Sequence, residues 1–191
     1  MKHFALNGQI REIGNKAFVK AFRKQGLVPC NLYGQGIENV FFTIPEKELK
    51  GVTHTPASFI IDLTLSDGKT YTCVLHELQY HPVKDNCLHV DFLKVSEDKP
   101  ISINVPLNIT GHAVGVQAGG KFAQFVRNLK VCGLMKDLPD QLDIDITDLQ
   151  IGKTIVAGDL KFDNIAILNP KSTIICTVKA TRQSAQAAPQ Q

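Results

Sequence analysis

Lys16, Lys20, Arg23 and Lys24 are spaced so that a helix turning 100° per residue carries all of them on one side. Cations stacked at i and i+4 destabilise an isolated helix by about a few tenths of a kcal/mol per pair. A row of phosphates would offset that cost, so the pattern suits a polyanion, and a solvated basic face is the competing reading. A second group lies downstream. Gln79 and His81 precede Pro82, while His89 and Asp91 alternate with Leu88, Val90 and Phe92. Imidazole, amide and carboxylate together supply donors and acceptors for phosphate, ribose hydroxyls and base edges.

Other chemistries compete for the same residues. His81, His89 and Asp91 could ligate zinc, although their spacing matches no compact ligand motif. Cys87 and His89 could form a nucleophilic pair, but no signature surrounds the cysteine. Polar residues on a solvated strand face are the bland alternative. Gly119-Gly120-Lys121 lacks the preceding glycine and following Ser/Thr of a phosphate-binding loop. No paired carboxylates sit in an apolar setting. The expectation is a protein that is not an enzyme, with no metal, cofactor or small-molecule substrate.

The elements that must position these groups can be read in order. Residues 3–13 alternate loosely as an opening strand that delivers Arg11 to the basic helix, Lys16–Gln25. Gly26 sits where a left-handed cap belongs, Pro29 cannot continue the helix, and Phe18 and Phe22 are placed to anchor it to a core. Strands are expected at 28–33, 39–44, 58–65, 70–76 and 88–92, with a brief helix after Pro45 and a hairpin at Ser66–Lys69. Many short strands with brief helices argue for a small barrel.

The pattern pauses near 95–100, giving a first domain over 1–95 and a second, mainly β domain over 96–183. In the second, Ile101–Ile109 is a strand that Pro106 suggests lies at an edge. The glycine-rich 111–120 reads as a loop, with further strands within 121–134 and at 141–146, 154–156 and 173–180. The polar, low-complexity end, 184–191, is expected to be disordered.

Charge is distributed unevenly. Residues 11–24 hold five basic side chains and one acid, whereas 137–163 hold seven Asp and two Lys. The acidic stretch reads as a solvated surface or a face for a basic partner. Five unpaired-looking cysteines without a CxxC favour reduced thiols in a cytosolic protein. No apolar run reaches the roughly 18 residues of a membrane span, and the chain is expected to be soluble, intracellular and free of membrane.

Two stretches together resemble a known family. The pattern R-x-x-x-G-K-x-x-x-R-x-L-R-x-x-G-x-x-P-x-x-x-Y-G stands here as Arg11, Lys16, Lys20, Arg23, Gly26, Pro29, Tyr33 and Gly34. Residues 79–92, QYHPVKDNCLHVDF, are similar to its Q-x-H-P…H-x-D-F segment. The family is the bacterial large-subunit ribosomal protein that binds 5S ribosomal RNA, the twenty-fifth of its series, in its long, two-domain general stress protein CTC form. Departures are Asn15 for glycine, Lys20 for arginine, Phe22 for leucine, and Tyr80 where a shorter relative has a basic residue. Lysine keeps the charge at 20 without the bidentate fork of arginine.

The resemblance implies a six-stranded β-barrel akin to the anticodon-binding domain of glutaminyl-tRNA synthetase. It implies 5S rRNA in the central protuberance as partner, with other large-subunit components beside the second domain. The RNA-binding residues would be Arg11, Lys16, Lys20, Arg23, Lys24, Tyr33, Gln79, His81, His89 and Asp91. The alternative is a protein-interaction or stress-response factor acting off the ribosome through an acidic second domain.

Overall fold

The computed structural model describes residues 2–55, 57–96, 99–162 and 164–181. The expected disordered stretch 184–191 lies outside them. The chain forms two compact units, Met1–Ile101 with Leu134–Asp140, and Ser102–Gly133 with Gln141–Gln191.

The first unit contains β1 (Lys2–Ile10), α1 (Lys16–Lys24), β2 (Leu27–Tyr33), β3 (Val40–Pro45), α2 (Glu46–Thr53), β4 (Phe59–Leu65), β5 (Thr70–Tyr80) and β6 (Cys87–Lys94). Its strands close a barrel in the order β1-β3-β2-β6-β5-β4. Closure comes from the parallel pair β1–β4, and a second parallel pair joins β2 to β6 with Cys30 opposite Val90. Alternation in each strand decides what points inward. In β2, Cys30 and Leu32 are buried, while Asn31 and Tyr33 between and beyond them are only half-buried. Phe42 and Phe92 meet at the centre with ring centroids 5.7 Å apart, among Leu6, Ile44, Ile61, Leu63 and Val90. At Gly8 a Cβ would come within 2.7 Å of the Phe42 ring and 2.9 Å of Leu65, so β1 can pass this close only as glycine.

The opening strand ends at Ile10 rather than running to residue 13. Its pairing with β3 stops at Ile10–Phe42, with one further bond from Arg11 N to Phe41 O at 2.9 Å. β5, by contrast, runs past His76 to Tyr80, which carries Gln79 onto the sheet.

The second unit holds β7 (Ile101–Thr110), α3 (Val114–Gln117), β8 (Lys121–Gln124), β9 (Asn128–Gly133), β10 (Leu142–Asp145), β11 (Thr154–Val156), β12 (Ala166–Ile167) and β13 (Ile174–Lys179). They make a sheet ordered β10-β7-β9-β12 and another ordered β11-β13-β8. Two expectations are corrected here. β7 is internal, not an edge. Pro106 is accommodated because Leu107 N bonds Arg127 O, so position 106 faces the other side, where pairing with β10 begins only at Leu107. The glycine-rich 111–120 stretch also carries a helical turn, α3, closed by bonds such as Gln117 N to Ala113 O. The two-residue β12 lies within the apolar run 165–168, which was not among the expected strands. A cavity of about 530 Å³ opens in this unit among Ile109, Ala113, Val116, Phe122 and Ile146.

The aspartates of 137–163 divide between the units. Asp137 and Asp140 fall in the first, Asp143, Asp145, Asp148 and Asp159 in the second, and Asp163 is outside the described residues. Asp143 accepts from Asn108 Nδ2 at 2.7 Å, and bonds from Thr147 hold the Asp145 carboxyl below its usual range.

Candidate nucleic-acid interface

Helix α1 is defined at both ends by local chemistry. Asn15, extended at φ −74° and ψ 176°, caps the start by accepting from Phe18 N at 3.1 Å. Gly26 at φ +74° donates to Arg23 O at 3.2 Å and turns the chain back. Between these caps no residue is buried. Phe18 and Phe22 do not anchor the helix in a core as expected. Their rings stack edge-to-face at 4.7 Å, and Phe18 stays 43% exposed. Only Val19 and Phe22 are half-buried. An apolar pair at i and i+4 can satisfy itself on the helix surface, which is what happens here.

The cations of this helix fall into two kinds. Lys16, Lys20 and Lys24 are exposed and form no ion pair or hydrogen bond among the described residues. Arg23 instead donates from Nε and Nη2 to the Leu88 carbonyl of β6, at 3.1 and 2.8 Å.

Adjacent strands supply a polar face on the outside of the barrel. Phe41 lies opposite Asn31, Asn31 beside Asp91, and Asp91 opposite Glu77, so one row crosses β3, β2, β6 and β5. In the next row Gln79 lies opposite His89. Arg11, just past β1, lays its guanidinium over the Phe41 ring at 5.5 Å, and its Nε is buried with no partner among the described residues. His89 Nδ1 stands 3.5 Å from Asp91 Oδ1. Burial pushes the His89 imidazole below its ordinary range, Asp91 opposes that, and Arg11 and Arg23 reinforce it. His89 is therefore a neutral ring at neutral pH.

An irregularity in the β5–β6 ladder re-aims His76. Leu75 pairs with Phe92 and Glu77 with Asp91, which leaves His76 as an extra residue on β5. Its Nδ1 meets the Tyr33 hydroxyl at 3.0 Å, with the rings edge-to-face. Burial, then Asp91 and Glu77, raise the Tyr33 hydroxyl above its usual range, so Tyr33 keeps its proton.

The structure thus brings Arg11, Arg23, Tyr33, Gln79, His89 and Asp91 around one face. His81 is placed differently. Its Nδ1 accepts from Val83 N and Lys84 N, both at 3.2 Å, so the ring holds the 81–86 loop in shape. Tyr80 likewise directs its hydroxyl to Thr53 O at 3.1 Å, tying β5 to the end of α2. Sequence reasoning passed over Asn15, Asn31, Phe41 and His76. Asn15 stood directly before the helical pattern, and Asn31 was the one polar residue in an apolar strand. His76 left no signal, because a bulge does not disturb composition.

The competing chemistries find little support in this geometry. Cys87 Sγ bonds the His89 backbone carbonyl, not its ring, and burial raises the thiol, which opposes activation as a nucleophile. Among the described residues no group of three or more His, Cys, Asp or Glu could hold a metal ion. Among them, too, no helix is long and apolar enough to cross a membrane.

Comparison with known proteins carries the arrangement further. Residues 6–92 match the model of the ribosomal L25p family, and residues 100–182 match the C-terminal domain of ribosomal protein TL5. The large ribosomal subunit protein bL25 of Porphyromonas gingivalis is 43% identical over 189 residues, 98% of each chain. The chain belongs to the ribosomal L25p family. Its two matched segments give the long form of that family, which is ribosomal and not enzymatic. The bL25 of Azobacteroides pseudotrichonymphae is 45% identical over 183 residues, covering 95% of this chain and 96% of that one. That of Bacteroides thetaiotaomicron is 40% identical over 193 residues, covering 98% and 97%.

Proposed function

We propose that this protein is a constituent of the large ribosomal subunit, in the cytoplasm, that binds 5S rRNA in the central protuberance through residues 1–95. The observation that carries the reading is α1, a helix with no buried residue whose three lysines have no partner among the described residues. Such a helix is poorly explained by folding alone and well explained by an RNA backbone.

The division of labour follows from chemistry. Lys16, Lys20 and Lys24, with Arg11 and Arg23, neutralise phosphates and set affinity and register. Asp91 and Glu77 repel phosphates, and as carboxylates they only accept hydrogen bonds. The donors RNA can offer them are ribose hydroxyls and exocyclic amines, reached where an A-form groove is irregular or widened. Neutral His89 and the amide of Gln79 can donate or accept beside them, and the Tyr33 hydroxyl extends the same edge. His81 contributes by shaping its loop.

Co-sedimentation tests the reading. The protein should stay with isolated large subunits through a high-salt wash and protect 5S rRNA in chemical footprinting. Release in the wash without a 5S footprint would instead support an interaction factor working off the ribosome.

A further inference from the structure

Helix α1 must be held at a defined angle if its lysines are to meet a fixed row of phosphates. Yet none of its residues is fully buried, and only Val19 and Phe22 are half-buried. Among the described residues, the only side-chain hydrogen bonds that leave the helix are those of Arg23 to Leu88 O, across 65 positions of sequence.

The acceptor lies at an irregularity of the sheet. In the β5–β6 ladder Gln79 pairs with His89 and Tyr80 with Cys87, so Leu88 is the extra residue of a bulge. On the other flank, pairing between β2 and β6 begins only at Cys30–Val90. Among the described residues Leu88 therefore has no register partner in β2 or β5, and its carbonyl accepts from the guanidinium. A planar guanidinium placing two N–H groups on that one oxygen fixes direction as well as distance, which an ammonium cannot do.

We propose that Arg23 is a positioning residue that clips the basic helix to the Leu88 bulge and so sets where Lys16, Lys20 and Lys24 meet phosphate. This rests on the 5S rRNA reading and deepens it. Beyond the charge it brings towards phosphate, Arg23 acts through the helix it holds. The bulge is then part of the binding apparatus, because the acceptor that holds Arg23 sits on it.

The test uses the full chain with Arg23→Lys, Arg23→Met and, as a control for lost charge, Lys20→Met. Amide hydrogen exchange of the free protein reads the clip, and 5S rRNA affinity across a salt series reads its consequence. Both Arg23 variants should raise exchange of the α1 amides about tenfold while barrel amides and Tm stay as in the parent. Both should also weaken 5S rRNA binding about tenfold or more, with Arg23→Lys little better than Arg23→Met. Lys20→Met should weaken binding and lower the salt slope by about 0.7–0.9 without changing exchange. Retention of parental affinity by Arg23→Lys, or unchanged α1 exchange in both Arg23 variants, would overturn the proposal. If the parent showed no preference for 5S rRNA, the RNA reading would fall, and the exchange arm would still decide whether the clip exists.

Discussion

Helix α2 buries Leu49 and Val52 against the barrel and has no side-chain cap at its start. Helix α1, one residue longer, has no fully buried residue, is capped by Asn15 and is hydrogen-bonded to β6 through Arg23. The first belongs to the core and the second is mounted on it. Burial of two aliphatic side chains is worth about 1.5–3 kcal/mol each, enough to fix a short helix. Capping and one arginine bond are worth less, and they leave the outer surface of α1 open for a partner. A helix that must present cations cannot also be deeply buried, since a buried, unpaired charge is costly.

Substitutions can sharpen that contrast, starting with the largest effect. Leu49→Ala should lower the unfolding free energy by about 2–5 kcal/mol, whereas Lys20→Ala should change it by no more than about 0.5 kcal/mol. Denaturant titration of both variants checks this, and equal losses would mean that α1 is as integral as α2. Replacing Lys16, Lys20 and Lys24 together by alanine should make the salt slope of 5S rRNA binding shallower by about 2–3 with little change in Tm. An unchanged slope would remove these lysines from the interface.

Smaller effects probe the mounting itself. Asn15→Ala should destabilise α1 locally by about 0.5–2 kcal/mol, seen as faster amide exchange from Phe18 onward, and Asn15→Asp should restore protection. His89 gives the smallest effect and it depends on pH. Burial lowers its pKa in the fold below the unfolded value near 6.5. Its neutral form therefore supports the fold above that value, and this support is lost as pH falls through the lowered folded pKa. His89→Gln should flatten that part of the stability curve below about pH 6.5, and an unaltered curve would show that His89 titrates alike in both states.

Legibility in the sequence followed locality. The span of α1 and its glycine turn were readable because 3.6-residue periodicity and a left-handed cap are set within a dozen residues. Most strands were readable from alternation, though not β12, and the barrel's closure and family came through the resemblance of two motifs. Contacts between distant segments were not readable. Nothing in Leu88 or His76 marks a bulge, because a register shift changes pairing without changing composition. Phe18 and Phe22 look like core anchors in any helical wheel, and only the fold shows them stacked on each other. Pro106 misled because a proline inside a sheet needs only a locally unpaired side, which β7 provides before its pairing with β10 begins.

The most direct measurement is the affinity of the full chain for 5S rRNA from about 50 to 200 mM salt, with a regular RNA duplex as control. Four or five phosphate contacts predict a loss of about 10²–10³ over that range, by the slope of about 0.7–0.9 per contact. The account predicts that loss together with a clear preference for 5S rRNA over the duplex. Weak binding, equal for both RNAs, would contradict it and reduce α1 to a solvated basic face.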